Sequence, residues 1–500
     1  MRAAVVRVYL DVPLQMAPKA EWVLTSLLAA CGAQLEVVDA RASDEARASC
    51  ALAYAPAPAA GVPTIPLAEK ALDLIAERRP LASQSFAPFE TAAGPLPGGF
   101  PVSDEGFAAP FDLVASAFVL LAAWDEATSD LRDEHGRFPY AQSLFARNDA
   151  LELTDPPLDG YLRLLRELVN ERLANLGEPV LTAPGWGSAA GEGEGEARFA
   201  LALTHDVDDV RRWSPRDYLV GGKRTALALR HRDLATARLE AGDLGRAATR
   251  ATPYGDDPYW VFPEILRREH ELGGSSTFYV LASHGHPTDG ERPELYQRRL
   301  PAVLRTVRTA GREVGLHGNH RDGRELEALL DDRNALAELT GAPVDGMRLH
   351  YLKCTYHETL PLLDRTGFVY DTSLAYAESE GPRCGFSFPF HPYDLRADRP
   401  LDLIELPLLV MDSTLLERKY RSLSADEACK VALGALEKLR DAGGAAAVLW
   451  HHNRFHRHLG RGYGDVYWDL LYWARAEGGA LLSAGDLVRR YRERAGETTL

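Results

Sequence analysis

The chain has 500 residues, of which 46% are hydrophobic and 26% charged, enough apolar material for two or three packed domains. Its 56 Lys and Arg stand against 72 Asp and Glu, a formal net charge of −16 at pH 7. A surface this acidic argues against general binding to a nucleic-acid backbone, and the composition excludes coiled coil, collagen and a disordered tail.

The first residues suggest a strand over 4–10 and a helix over 19–30, where apolar residues recur at helical spacing. The run is broken at Arg7 and Asp11. That leaves it short of the about 7–15 apolar residues of a secretory h-region and the about 20 of a membrane span. The five cysteines (31, 50, 354, 384 and 429) are odd in number, scattered and without a CxxC pair. They make neither a disulfide framework nor a thiolate zinc site, so a reducing, cytoplasmic location is expected. A second strand is expected over 35–39, a Pro/Ala-rich stretch over 55–66, and helices near 111–125 and 158–176. The polar run DEHGRFP, 133–139, reads as a surface turn, with His135 structural.

Residues 185–197 alternate Gly and Glu, a composition that builds neither helix nor packed strand. They are expected to link an N-terminal α/β domain, 1–184, to a C-terminal domain, 198–500. Beyond the linker, apolar strands alternate with helices: strands near 199–203, 276–281, 313–316, 346–349, 368–370, 403–406 and 447–450, with helices between them and a closing β/α pair ending near Arg494. Repeated β-then-α units imply parallel strands, and about seven units in about 300 residues favour a (β/α) barrel over an open sheet. Such barrels carry their chemistry just beyond the C-terminal ends of the strands.

Polar clusters fall at five of those ends. THDVD (204–208) places Asp206 and Asp208 two apart, on one face of a continuing strand, where one could serve as base and the other as metal ligand. HGNH (317–320) places His317 and His320 three apart, so that one helical turn would bring both imidazoles to one side; His–His–carboxylate is a recurrent ligand set for catalytic zinc. Arg348 and His350 end another strand, and a fixed guanidinium there can hold a base carboxylate ionised. Asp412 ends an apolar strand, and LWHH (449–452) ends the last; a histidine there can act as general acid with Asp412 orienting it.

In this order the clusters resemble the polysaccharide deacetylases of carbohydrate esterase family four, over roughly 199–494. The family carries an Asp motif, a two-histidine motif, an Arg motif, a later Asp motif and a Leu-x-His motif in the same order. The resemblance implies a distorted (β/α)7 barrel and metal-dependent removal of N- or O-acetyl groups from sugars. It assigns Asp206 as base and Asp208, His317 and His320 as ligands of a divalent metal, preferentially zinc. Arg348 would orient Asp206, and His451, rather than His452, would be the acid, partnered by Asp412. His350, Asp371, Tyr376 and Arg383 would line the substrate groove. The N-terminal half resembles the accessory domain ahead of some bacterial deacetylase-like barrels. The chain departs from the pattern in two places. The family's histidines are four apart, whereas here that fourth position is Arg321, so His320 must reach the metal from a different backbone geometry. Leu349-His350 stands where the Arg motif usually continues with Pro.

The expected function is therefore metal-dependent deacylation of a carbohydrate or glycan precursor, without nucleic acid or a membrane span. Two alternatives are hydrolysis of a small non-peptide amide on the same barrel, and catalytically weak carbohydrate binding in polysaccharide biosynthesis. A two-carboxylate glycosidase ranks last, since it leaves the histidines unexplained.

Overall fold

The structure is a computed structural model. It describes residues 4–103, 106–182, 185–187, 196–211, 215–248, 257–284, 289–290, 293–321, 323–456 and 462–497. The expected linker thus lies outside the described residues over 188–195. Its Trp186 is fully buried instead of extended in solvent: the indole N–H donates to the Gly443 carbonyl at 2.8 Å, and the Arg494 guanidinium lies 3.9 Å from the ring centroid.

Four parallel strands open the chain: β1 (Ala4–Leu10), β2 (Ala33–Asp39), β3 (Leu52–Ala55) and β4 (Thr64–Pro66), in the order β2-β1-β3-β4. A hairpin of β5 (Phe86–Thr91) and β6 (Gly94–Gly99) follows. The helices Ala17–Ala30 and Leu113–Leu121 pack together, and every residue of the second is buried. The helix Pro157–Leu176 begins on Pro at its first turn and ends on Gly177 at φ 74°, as the different demands of the two helix ends favour.

The larger sheet contains β7 (Phe199–Val207), β8 (Thr277–Val280), β9 (Glu313–Gly318), β10 (Gly346–Leu349) and β11 (Tyr370–Asp371). After a small hairpin of β12 (Tyr393–Asp394) and β13 (Arg399–Pro400) come β14 (Ile404–Glu405), β15 (Leu408–Met411), β16 (Ala445–Leu449) and β17 (Gly479–Leu482). The order is β14-β11-β10-β9-β8-β7-β16-β15, every pairing is parallel, and β17 pairs the first half of β7. The first and last strands of that list, β14 and β15, are one stretch of chain broken at Pro407, which has no N–H to give a ladder. On one side Leu406 N–H donates to Asp371, and on the other the Pro407 carbonyl accepts from Ala447. The ring therefore closes through the chain itself with seven members, a distorted (β/α)7 barrel. Its strands are buried on both faces, β7 entirely so, which is why they read as apolar runs instead of alternating ones.

The barrel and the N-terminal sheet share one hydrophobic cluster. Trp22 Nε1 donates to the His391 carbonyl at 2.7 Å, and Leu158 N–H to Gly385. No helix among the described residues is long and apolar enough to cross a membrane.

Candidate metal and catalytic site

Strand parity builds the site. Along β7, Thr204, Asp206 and the following Asp208 share one face, while His205 turns the other way. There its ring nitrogens meet the Trp450 carbonyl at 2.7 Å and Glu269 Oε1 at 2.9 Å. Register sets Arg348 of β10 beside His317 of β9. The fully buried guanidinium donates to Thr204 Oγ1 and Asp206 Oδ1, each at 2.9 Å, and through Nε to the Thr372 carbonyl. Asp206 is thus gripped by one oxygen, and its Oδ2 faces His317 Nε2 at 3.8 Å.

Three side chains converge beside it. Asp208, His317 and His350 each offer one ligand atom, and these atoms lie within 4.8 Å of one another. Asp208 Oδ1 is 3.1 Å from His317 Nε2 and 3.7 Å from His350 Nε2. Burial pushes the Asp208 carboxyl up, but His350, His317 and His451 override it and hold it well below the usual carboxylate range.

The donor set fits a divalent cation. Ligand atoms 2.0–2.2 Å from a tetrahedral zinc lie about 3.4 Å apart, between the two distances found. His317 Nδ1 is 2.9 Å from the Arg348 carbonyl, a contact that turns Nε2 toward Asp208 as the nitrogen available for ligation. Asp208 Oδ1 and His317 Nε2 are both buried and, 3.1 Å apart, make no hydrogen bond, a gap that a cation held by both would satisfy. His350 Nδ1 in turn points at the buried Asp289 carboxylate, 3.4 Å away, the supporting contact that orients a metal-binding imidazole.

The structure does not bring His320 to this group. The chain remains a strand through Gly318, so the helical turn that would have aligned His317 and His320 does not form. His320 N–H donates to Asp289, and its carbonyl accepts from Lys353. His350, expected in the substrate groove, stands in the third position. His350 thus stands beside Asp208 and His317 where His320 was expected, which no spacing within either motif could reveal.

Asp412, buried past the end of β15, accepts from His451 Nδ1 at 2.6 Å and from Arg454 Nε at 3.3 Å. Burial alone would push the His451 imidazole down; Asp412, with Asp208 and Asp206 beyond it, holds its pKa up to about 9. His451 Nε2 faces Asp208 Oδ2 at 3.6 Å. His452 points away, stacks on Phe262 with centroids 5.1 Å apart, and is pushed by burial down to about 4.

The cleft over these groups has a volume of about 350 Å³ and is lined by Asp206, Asp208, His350, Tyr351, His451 and Arg137, among others. Asp371, Tyr376 and Arg383 lie elsewhere. Asp371 is fully buried and accepts from the Ser373 hydroxyl and N–H. Arg383 is 3% exposed, donates to Glu126 Oε2 at 2.5 Å and lies over the Tyr376 ring, so both are packed between barrel and N-terminal unit. The run 133–139 does turn, with Glu134 exposed, but Arg137 and Phe138 are buried. Its polarity hid this: the guanidinium is consumed internally.

The seven-membered barrel thus carries Asp206, His317, Arg348, Asp412 and His451 at or just beyond the C-terminal ends of β7, β9, β10, β15 and β16. The barrel and the order of these residues are similar to what the resemblance to the polysaccharide deacetylases of carbohydrate esterase family four implied. Residues 10–174 match a family of unknown function (DUF7033). A peptidoglycan deacetylase-like protein, FGM2, of Gibberella zeae is 30% identical over 126 residues; the match covers 22% of this chain and 37% of that relative's length. Among solved structures, a putative polysaccharide deacetylase from Mycobacterium smegmatis is 20% identical, covering 63% of this chain and 96% of that one with a TM-score of 0.39. PuuE allantoinase is 16% identical, with coverages of 62% and 94% and a TM-score of 0.40.

Proposed function

We propose that the protein is a metal-dependent hydrolase that removes an acyl group, acetyl foremost, from a carbohydrate or glycan precursor. The observation that carries this reading is the meeting of Asp208, His317 and His350, with two buried polar atoms left unbonded, beside an Arg-held carboxylate and an Asp-held imidazole.

Asp208, His317 and His350 would hold the cation, and their mixed N/O donor set suits zinc. When bound, such an ion polarises an acyl carbonyl and makes water a nucleophile near neutral pH. Arg348 fixes Asp206 through Oδ1, so that Asp206 takes the proton of the attacking water. His451 is protonated at neutral pH, and its Nε2 gives that proton to the departing amine or alkoxide, while Asp412 fixes the ring through Nδ1.

The test is elemental analysis of protein purified without chelators, together with acetate release from acetylated sugars. One equivalent of metal and turnover abolished by Asp206→Asn are expected. Protein that can be loaded with no metal would overturn the reading. Turnover of cyclic ureides or imides in place of acetylated sugars would move the substrate to small amides.

A further inference from the structure

The N-terminal unit reaches the catalytic end of the barrel through the turn 133–137. Asp133 closes this turn by accepting from the backbone N–H groups of His135 and Arg137, each at 2.9 Å. Gly136 sits at φ 78°, where a Cβ would come within 2.5 Å of the Arg324 guanidinium. Arg137, 6% exposed, donates through Nε to Asp133 Oδ2 at 2.8 Å and through Nη1 to the Tyr351 carbonyl at 2.9 Å.

On the barrel side, Tyr351 and Leu352 hold left-handed backbone, φ 58° and 53°. Side chains other than glycine rarely adopt this conformation, and it persists only where the surroundings over-determine it. The turn supplies that constraint twice. Arg137 holds the Tyr351 carbonyl, and the His135 ring lies parallel to the Tyr351 ring, 7° between planes and 4.9 Å between centroids. Tyr351 then stacks on His350, 4.0 Å between centroids and 24° between planes. Three rings in a row end on the imidazole that faces Asp208.

We propose that the turn 133–137 is a working part of the metal site, fixing Tyr351 and through it the His350 imidazole in ligating position. His135 and Arg137 are positioning residues acting through Tyr351. If the segment carrying His350 is freed, only a fraction of molecules present three ligands at once, and apparent affinity falls by that fraction. This gives the N-terminal unit a task at the active site. The inference rests on reading Asp208, His317 and His350 as a metal site, and the experiment separates the two.

In the full chain, zinc affinity is measured by competition with a chromophoric chelator, and coordination by the visible spectrum of the Co²⁺-loaded protein. Far-UV dichroism and melting monitor the fold. His135→Ala and Arg137→Lys are expected to weaken zinc binding about 10–100-fold, the range for groups that orient a ligand, and to shift the Co²⁺ bands. His135→Phe, which keeps the stack, is expected to restore both. His350→Ala tests the underlying reading through loss of the site. Zinc affinity within two-fold of wild type in both turn variants, alongside loss in His350→Ala, would overturn the proposal and leave the metal site standing. Wild-type protein that binds neither metal would overturn both.

Discussion

Two histidines 33 residues apart in the sequence, His317 and His350, decide the candidate ligand set. His317 turns its Nε2 to Asp208 because the Arg348 carbonyl engages Nδ1, and His350 does the same because Asp289 engages its Nδ1. His320 has only its backbone in that contact with Asp289. We therefore expect His350→Ala to weaken zinc binding by more than about 100-fold, beyond the range of merely supporting groups, and His320→Ala to leave it within a few-fold; chelator competition measures both. His451 supplies the pH dependence. The proposed acid must carry its proton, and its pKa is held up to about 9 against burial, chiefly by Asp412. Activity should therefore persist into alkaline pH and fall through a limb near 9. Asp412→Asn removes the charge that raises the pKa, so the limb should move to lower pH, with a fall in kcat within the about 10²–10⁴-fold range of general acid catalysis. An unmoved limb in the kcat profile would detach His451 from the proton transfer.

At the scale of strands and helices, what was legible followed from periodicity and strand ends. The barrel's strands read as apolar runs, and the face shared by Asp206 and Asp208 follows from a two-residue period alone. Three features were not legible. The ring closes by splitting one stretch at Pro407 between two neighbours, and local pattern cannot show which neighbour each half takes. His350 joins His317 by register between β9 and β10. Arg137 reads as surface, and Arg383 and Tyr376 as lining the substrate groove, but long-range partners bury all three. The ring's tolerance is small at Gly346, where a Cβ would fall 1.9 Å from the Tyr370 ring. Gly346→Ala should cost about 1–3 kcal/mol in urea unfolding, the usual toll of overpacking. It should also lower activity, because β10 carries Arg348 two residues on. Behind β7, the fully buried Glu269 meets His205, Ser276 and Tyr467 at 2.9, 2.6 and 2.6 Å. Burial pushes this carboxyl up, but His205 and the hydroxyl donors win and hold it below the usual glutamate range. A depressed carboxyl stabilises the fold above its unfolded pKa and loses that contribution as pH falls. The melting temperature of wild type should exceed that of Glu269→Gln at pH 7, and the gap should narrow below about pH 4.5.

On the scale of the whole molecule, the two sheets behave as one body because their contact is built like an interior. The cluster running from Val6 of β1 to Tyr491 of the closing helix is contiguous. At its centre a charged pair crosses from one unit to the other: Glu126, 2% exposed, and Arg383, 3% exposed, joined at 2.5 Å. Glu126 Oε2 also accepts from the Tyr356 N–H at 3.2 Å, which ties the pair to the segment just beyond the candidate ligand His350. A pair this deep adds little over an apolar replacement of both partners, but removing one partner leaves a bare charge in low dielectric. Glu126→Ala should therefore destabilise the fold by about 3–5 kcal/mol, whereas Glu126→Ala combined with Arg383→Met should recover much of that loss. Hydrogen exchange distinguishes where the loss is felt. If the units share one core, amides of β1 and of β7 should lose protection together in the single variant and regain it together in the double one. Loss confined to either sheet would mean that the two cores unfold separately, and that the turn beside the proposed metal site is held by its local contacts alone.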